Sequence, residues 1–147
     1  VDDAHGALSL TDWCDDELQL IVPEGHPLSE QATFQWSDLD GQPLVLFERG
    51  SAVRHRIDTA LSEARVAVRP VMELRSIASI RRMVAEGIGA AFISRHALPE
   101  HTGLVPKSGP RLTRMLALCR RADRAPSPAA QAFMDLGTPV SETASRV

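Results

Sequence analysis

The stretch Val71–Ser94, VMELRSIASIRRMVAEGIGAAFIS, leaves a chain of this kind few folds to adopt. It spells strand, capped helix, glycine turn and strand. Val71-Met72-Glu73-Leu74 alternates apolar and polar residues at the period of a strand. Ser76 stands where a helix N-cap belongs, its hydroxyl able to accept from a first-turn N–H that has no partner within the helix. Ile77, Ile80, Val84 and Ile88 follow at offsets of 0, 3, 7 and 11 as one apolar stripe, with Arg81, Arg82 and Glu86 off it. Gly87 falls where a left-handed residue closes a helix, and Gly89 permits a close entry into the next strand. Ala90-Ala91-Phe92-Ile93 is continuously apolar, as in a strand covered on both faces.

The rest of the chain repeats this alternation. Val1–Asp16 is acidic, with Asp2, Asp3, Asp12, Asp15 and Asp16, shows no clear period and reads as a surface lead-in. Glu17–Pro23 reads as a strand with Leu18, Leu20 and Val22 on one face, followed by a turn at Glu24-Gly25-His26-Pro27. Ser37 is expected to cap a short helical turn, and Pro43–Phe47 is the next strand. A helix from about Ala52 to Ala64 buries Val53, Ile57, Ala60, Leu61 and Ala64 and turns Arg54, His55, Asp58, Ser62 and Glu63 to solvent. Thr113–Cys119 is a strand with Met115 and Ala117 on one face and Leu116 and Leu118 on the other. Ser127-Pro128, a cap with proline at the first helical position, opens a last helix striped by Ala129, Ala132, Phe133 and Leu136. Strands alternating with helices imply an α/β fold with mainly parallel neighbours.

Composition narrows the class further. The apolar fraction of 44% suffices for a core, and a formal charge of −3 argues against electrostatic nucleic-acid binding by this segment. No apolar run is long enough to span a membrane, and Val1 onward lacks the basic and apolar regions of a secretory signal. Cys14 and Cys119 sit in no metal or redox spacing and read as free thiols, which points to the cytoplasm.

Several segments resemble the effector-binding (substrate-binding) domain of LysR-type transcriptional regulators. They are Leu18–Leu28 (LQLIVPEGHPL), Trp36–Ser51 (WSDLDGQPLVLFERGS), Arg54 with Asp58, Met83–Ser94 (MVAEGIGAAFIS) and Ser127–Leu136 (SPAAQAFMDL). The resemblance covers roughly residues 17–137, in the family's order. It implies a two-lobed α/β fold like that of type 2 periplasmic binding proteins, with the second lobe complete and the first only partial. On this reading residues 1–16 are a lead-in segment, 17–105 the second lobe, 106–137 the return strand and helix of the first lobe, and 138–147 a flexible tail. The winged helix-turn-helix and the opening part of the effector domain have no counterpart here, and truncation is the expected reason. A lone strand and helix cannot bury their apolar faces, so Met115, Leu116, Leu118 and Phe133 are expected to need a partner surface.

The resemblance also implies a function: sensing a small, anionic metabolite, with no enzymatic activity and no cofactor. The implied partners are the effector, a homodimer or homotetramer, and DNA only through the absent winged helix-turn-helix, with no membrane. A stand-alone solute-binding protein of the same fold is the alternative. Ligands of α/β sheets bind at the carboxyl ends of parallel strands, where helix N-termini present free N–H groups. Two loops qualify, and they supply the candidate effector-binding residues: Phe47, Glu48, Arg49, Gly50 and Ser51, then Arg75, Ser76 and Ile77. Ser51 and Ser76 also have a simpler role as plain helix caps. Other signals are thin. His96 and His101 lack a third metal ligand, Ser94 lacks a nucleophile elbow, and Gly87–Gly89 follows a helix and so is a turn rather than a dinucleotide loop. Arg111, Arg114, Arg120, Arg121 and Arg124 read as a solvated edge, with a partner-contacting rim as the other possibility.

Overall fold

A computed structural model describes residues 8–98 and 103–137. Its elements are β1 (Leu8–Pro23), β2 (Pro43–Phe47), α1 (Ala52–Glu63), β3 (Arg69–Leu74), α2 (Ile77–Ala85), β4 (Ala91–Ser94), β5 (Leu104–Lys107), β6 (Thr113–Arg121) and α3 (Pro128–Gly137). Short 3-10 turns occupy Pro27–Glu30, Trp36–Leu39 and Arg95–Ala97. The chain divides into two compact units, one formed by Asp16–Arg114 and the other by the segments on either side of it.

In the Asp16–Arg114 unit, β2 and β3 run parallel, with Phe47 opposite Leu74, while β1 runs antiparallel to both β4 and β5. A parallel bridge between Leu44 and Ala90 brings the start of β4 beside β2. The expectation of mainly parallel neighbours thus fails at β1. The reason lies in the connections. β2–α1–β3 and β3–α2–β4 are crossovers through a helix, which return the chain in the same direction. Only two 3-10 turns separate β1 from β2, so nothing forces β1 into the parallel set.

The core of this unit is continuous. Leu20, Ile21 and Val22 of β1, Leu44–Leu46 of β2, Ile57 and Leu61 of α1, Ile80 and Val84 of α2, and Phe92 and Ile93 of β4 are all buried in one cluster. Phe34, Trp36 and Phe92 add an aromatic group with ring centroids 5.6–6.1 Å apart.

Helix α2 forms for the reasons its sequence gives. Ser76 Oγ accepts from Ser79 N–H, and Ile77, Ile80 and Val84 face the core. At its end Gly87 takes φ +78°, and the Gly87 and Ile88 N–H groups donate to the Val84 and Met83 carbonyls, a Schellman closure. Ile88 lies beyond that closure and is exposed, so it does not extend the buried stripe as its spacing suggested. Gly89 is needed for close approach: a Cβ there would stand 2.6 Å from the Pro43 carbonyl oxygen.

Two further expectations are corrected. The strand expected from Glu17 begins at Leu8, so the described part of the acidic lead-in is strand; its aspartates disfavour β structure, but pairing with β6 overrides them. The turn at Trp36–Leu39 is capped by Gln35, not Ser37, with Asp38 accepting from the Gln35 N–H at 2.7 Å. The segment expected as a flexible tail, 138–147, lies outside the described residues, as does Val1–Ala7.

The second unit has a different character. Ser127 caps α3 as expected, its Oγ accepting from Ala130 N–H at 3.2 Å. Yet α3 buries nothing: Phe133 is 64% and Leu136 87% exposed, and Met115 of β6 and Leu10 of β1 are half exposed. The apolar stripe of α3 is present, and among the described residues it is left uncovered.

Two outcomes follow from this packing. Gly89→Ala costs about 1–3 kcal/mol, because the clash is with backbone that cannot rotate away; urea unfolding measures it, and an unchanged midpoint contradicts the close contact. The 147-residue chain binds an apolar dye such as ANS while folded and self-associates. Replacing Phe133 and Leu136 together by Ser reduces both effects without changing the far-ultraviolet circular dichroism.

Candidate functional site

Because β2 and β3 are parallel and in register at Phe47 and Leu74, both chains leave the sheet at the same end. The Glu48 N–H donates to the Leu74 carbonyl at 3.1 Å, which carries the pairing one residue past β2. Gly50 takes φ +89°, turning the chain into Ser51, whose Oγ accepts from Arg54 N–H at 3.1 Å and starts α1. Arg75 and Ser76 make the equivalent turn into α2. The two loops picked out in the sequence are therefore neighbours, and side chains join them: Arg75 Nε lies 2.5 Å from Glu48 Oε2.

Within this group the residues differ. Phe47 turns its ring into the core and Ile77 packs against that core, whereas Arg49 and Arg75 are more than four-fifths exposed. Arg49, Gly50 and Ser51 line a concavity of about 640 Å3 together with Arg54, His55 and Asp58. Arg75, Ser76 and Ile77 do not line it; Arg75 is linked to the first loop through Glu48.

Beneath the loop lies a residue that the sequence reading placed in solvent. Arg54 is only 6% exposed. Its Nε donates to both Asp58 oxygens at 2.9 Å, and its Nη1 donates to the Phe47 carbonyl at 2.9 Å and to Glu73 Oε1 at 3.0 Å. Arg49 Nε reaches the same Glu73 oxygen at 3.4 Å. The missed signal was positional. Arg54 precedes Ile57 by three residues and Leu61 by seven, so it lies on the buried stripe, and its charge concealed that. A buried guanidinium persists where acceptors meet it, and here Asp58 at i+4 and Glu73 on β3, with the Phe47 carbonyl, meet Nε and Nη1.

The charges respond accordingly. Burial acts to lower the Arg54 pKa, but hydrogen bonds to Asp58 and then Glu73 outweigh it and raise it above its ordinary value. The hydrogen bond from Arg54, with a smaller one from Arg49, holds the Glu73 carboxyl below its ordinary range. Hydrogen bonding to Glu48 raises Arg75.

The remaining sequence candidates sit elsewhere. Ser94 Oγ donates to Asp16 Oδ1 at 2.7 Å and accepts from His96 N–H at 3.2 Å. Asp16, expected in a surface segment, is fully buried and also accepts from Arg114 Nε at 2.8 Å. Arg114 is therefore a structural ion-pair partner and not part of a solvated edge. Lys107 is buried as well, its ammonium donating to the Ser29 and Gln31 carbonyls. Among the described residues no group of three or more His, Cys, Asp or Glu could hold a metal ion, and His101 lies outside them. Cys14 and Cys119 are unpaired thiols, and no described helix is long and apolar enough to cross a membrane.

The comparison with known proteins covers nearly the whole chain. Residues 2–139 match the family described as the LysR substrate binding domain. A probable RuBisCO transcriptional regulator of Trichormus variabilis is 34% identical over 135 residues, which is 86% of this chain and 40% of the relative. Its counterpart in Guillardia theta is 32% identical over 142 residues, 90% of this chain and 45% of the relative. The chain thus spans less than half the length of these curated relatives. Among solved structures, the CcmR regulatory domain of Synechocystis PCC6803 in complex with 2-PG superposes with a TM-score of 0.83 at 22% identity, covering 97% of this chain and 71% of that one. The effector binding domain of QuiR in complex with shikimate gives 0.81 at 19% identity, covering 93% and 66%. At these identities the structural likeness bears on the fold, a type 2 periplasmic-binding-protein-like α/β arrangement.

A pH test follows from Glu73. Its folded pKa is lowered, so its ionised form favours the fold above the unfolded value of about 4.3, and that contribution is lost as pH falls through the lower folded value. Glu73→Gln is expected to destabilise the chain by a constant amount from pH 6 to 8, with the gap to wild type narrowing below about pH 4. Urea unfolding across that range checks it; a gap independent of pH means Glu73 does not act as a charge.

Proposed function

The chain belongs to the LysR substrate-binding domain family, and from that premise we propose that it senses a small anionic metabolite through Glu48–Ser51 and Arg75–Ile77. Proteins of this family are transcriptional regulators that bind small-molecule effectors and contact DNA through a separate helix-turn-helix domain, and the effector-binding domain is not catalytic. The observation that carries the site is the meeting of the two loops at one end of the β2–β3 pair, where the exposed Arg49 lines a concavity of about 640 Å3 and the exposed Arg75 is tied to the same loop through Glu48. An incoming oxyanion finds three kinds of donor there. Arg49 and Arg75 offer planar guanidinium forks, the capped starts of α1 and α2 offer first-turn N–H groups, and Ser51 and Ser76 offer hydroxyls.

Arg49 and Arg75 do not wait unpaired. Each holds an internal carboxylate, Glu73 and Glu48 respectively, through an exposed contact. Exposed pairs of this kind are weak, so exchanging Glu48 for a ligand carboxylate or phosphate costs little. On this reading ligand occupancy changes how the two loops are tied. Better fit to one arrangement then shifts the equilibrium of a homodimer or homotetramer and repositions DNA-binding domains outside this chain.

The test is a titration with 2-PG and with shikimate, the compounds bound by the CcmR and QuiR domains, followed by calorimetry. Binding by the wild-type chain is expected to weaken about tenfold in Arg75→Gln and in Arg49→Gln, the loss of one charge-assisted contact each. Sedimentation of the full-length regulator with and without ligand reads the oligomer. Binding unaffected by either substitution moves the site elsewhere, and a full-length protein that regulates transcription without binding any small anion sinks the sensing role.

A further inference from the structure

The turn that follows β1 is closed by a side chain whose part in it depends on protonation. Pro27–Glu30 is a single 3-10 turn, and His26 is its N-cap. Pro27 has no N–H, so the first amide the turn presents is that of Leu28. That amide donates to His26 Nδ1 at 3.1 Å. The Ser29 N–H and the Ser29 hydroxyl close the same end by donating to the His26 carbonyl, at 2.7 and 2.6 Å. Leu28 itself is 4% exposed and belongs to the core of the Asp16–Arg114 unit.

Ser, Thr, Asp and Asn fill most N-cap positions, and their oxygens accept throughout the neutral range. An imidazole nitrogen accepts only while it carries no proton. The cap therefore requires a neutral ring with its hydrogen on Nε2. Burial favours the same state, pushing the His26 pKa below its ordinary 6.5. Among the described residues, the charged groups on this segment and on β5, which packs against it, are Glu24, Glu30 and Lys107. The core that Leu28 enters is apolar. Lys107 is buried, and its ammonium donates to the Ser29 carbonyl at 3.2 Å and to the Gln31 carbonyl. The far end of the turn is thus held by a cation, and the near end by a group that must stay uncharged. Beyond Gln31, Thr33 bridges to Ser108 and the Phe34 N–H donates to the Ser108 carbonyl, so the path into the aromatic group is tied without His26.

We propose that His26 is a pH switch on this turn: protonation at Nδ1 removes the acceptor of the Leu28 N–H and frees the Gly25–Leu28 end, while Lys107 keeps the Gln31 end in place. Once protonated, the ring turns an N–H toward an N–H. The two no longer bond, and the amide of a buried leucine is left without its acceptor. The direction follows from the lowered folded pKa. The contribution of the cap is whole above the unfolded value of about 6.5 and is lost as pH falls through the lower folded value. Mild acid thereby loosens the link between β1 and the aromatic group. Neither loop at the end of the β2–β3 pair contains any of these residues, so the switch stands apart from the proposed effector site.

The experiment follows the 147-residue chain by NMR from about pH 8 to about pH 5. It compares wild type with His26→Asn, whose side-chain oxygen accepts the same N–H and does not titrate. In wild type the Leu28 amide is expected to shift in step with the His26 ring, at a midpoint below 6.5. Its protection from hydrogen exchange, corrected for the intrinsic pH dependence, is expected to fall about tenfold across that midpoint, the loss of one hydrogen bond. In His26→Asn the protection stays constant. Leu28 protection that ignores the His26 titration overturns the proposal, and so does the same fall in His26→Asn. Should His26→Asn fail to fold, the wild-type ring nitrogens decide at the alkaline end: a bare Nδ1 with hydrogen on Nε2 supports the cap, and the opposite tautomer overturns it.

Discussion

Much of the Asp16–Arg114 unit's working end hangs on one buried cation. The Arg54 guanidinium reaches the last carbonyl of β2, the carboxylate of Glu73 on β3 and the carboxylate of Asp58 one turn along its own helix. Three elements therefore meet at one side chain, in a place where an unpaired charge would be expensive. The contact with the Phe47 carbonyl matters most for geometry. That carbonyl stands where β2 ends, and fixing it sets the direction in which Glu48–Ser51 leaves the sheet. Arg54 also fixes the first turn of α1 from the opposite side of the loop, since its own N–H donates to Ser51 Oγ. The loop is held at both ends by one residue, through its backbone and its side chain.

Burial is distributed unevenly between the two units. The Asp16–Arg114 segment closes a core from β1, β2, β4, α1 and α2, with Phe34, Trp36 and Phe92 locked edge to face within it. The other unit pairs β1 with β6 and carries α3, which has an amphipathic sequence and no buried residue. Two strands and a helix do not enclose enough apolar surface to offset the entropy of ordering them. Among the described residues the apolar side chains of α3 therefore stay largely exposed.

The sequence was most legible where local chemistry and tertiary packing agree. Ser51, Ser76 and Ser127 each cap the helix their position announced, and Gly87 closes α2 with the left-handed conformation its place required. It was least legible where packing overrides local preference. Arg65 closes α1 at φ +57° in the role a glycine usually fills, and nothing in its neighbourhood signals it. Arg54 and Asp16 were assigned to solvent because they are charged, yet both are buried, each satisfied by partners distant in sequence: Glu73 for Arg54, and Ser94 and Arg114 for Asp16. Periodicity pointed inward for Arg54; residue type pointed outward. Pairing of this kind depends on which strands become neighbours, and that cannot be read from one segment. The two loops of the candidate site were legible because strand ends and helix caps mark them. The ion pairs that join them were not.

This division between buried and exposed charge suits the proposed site, which on that reading must both persist and respond. Arg54 and Arg49 share one oxygen of Glu73, but only Arg54 is shielded. Water and salt weaken the Arg49–Glu73 and Arg75–Glu48 contacts far more than the Arg54 network beneath. An anion arriving at the surface therefore meets arginines whose internal partners are easily exchanged, on a loop whose backbone is held by one that is not. The Glu73 carboxylate keeps its principal partner when Arg49 turns away, so no buried charge is stranded by the exchange. Rearrangement is confined to side chains with many alternatives in water, and the strand end that sets the loop's direction stays fixed.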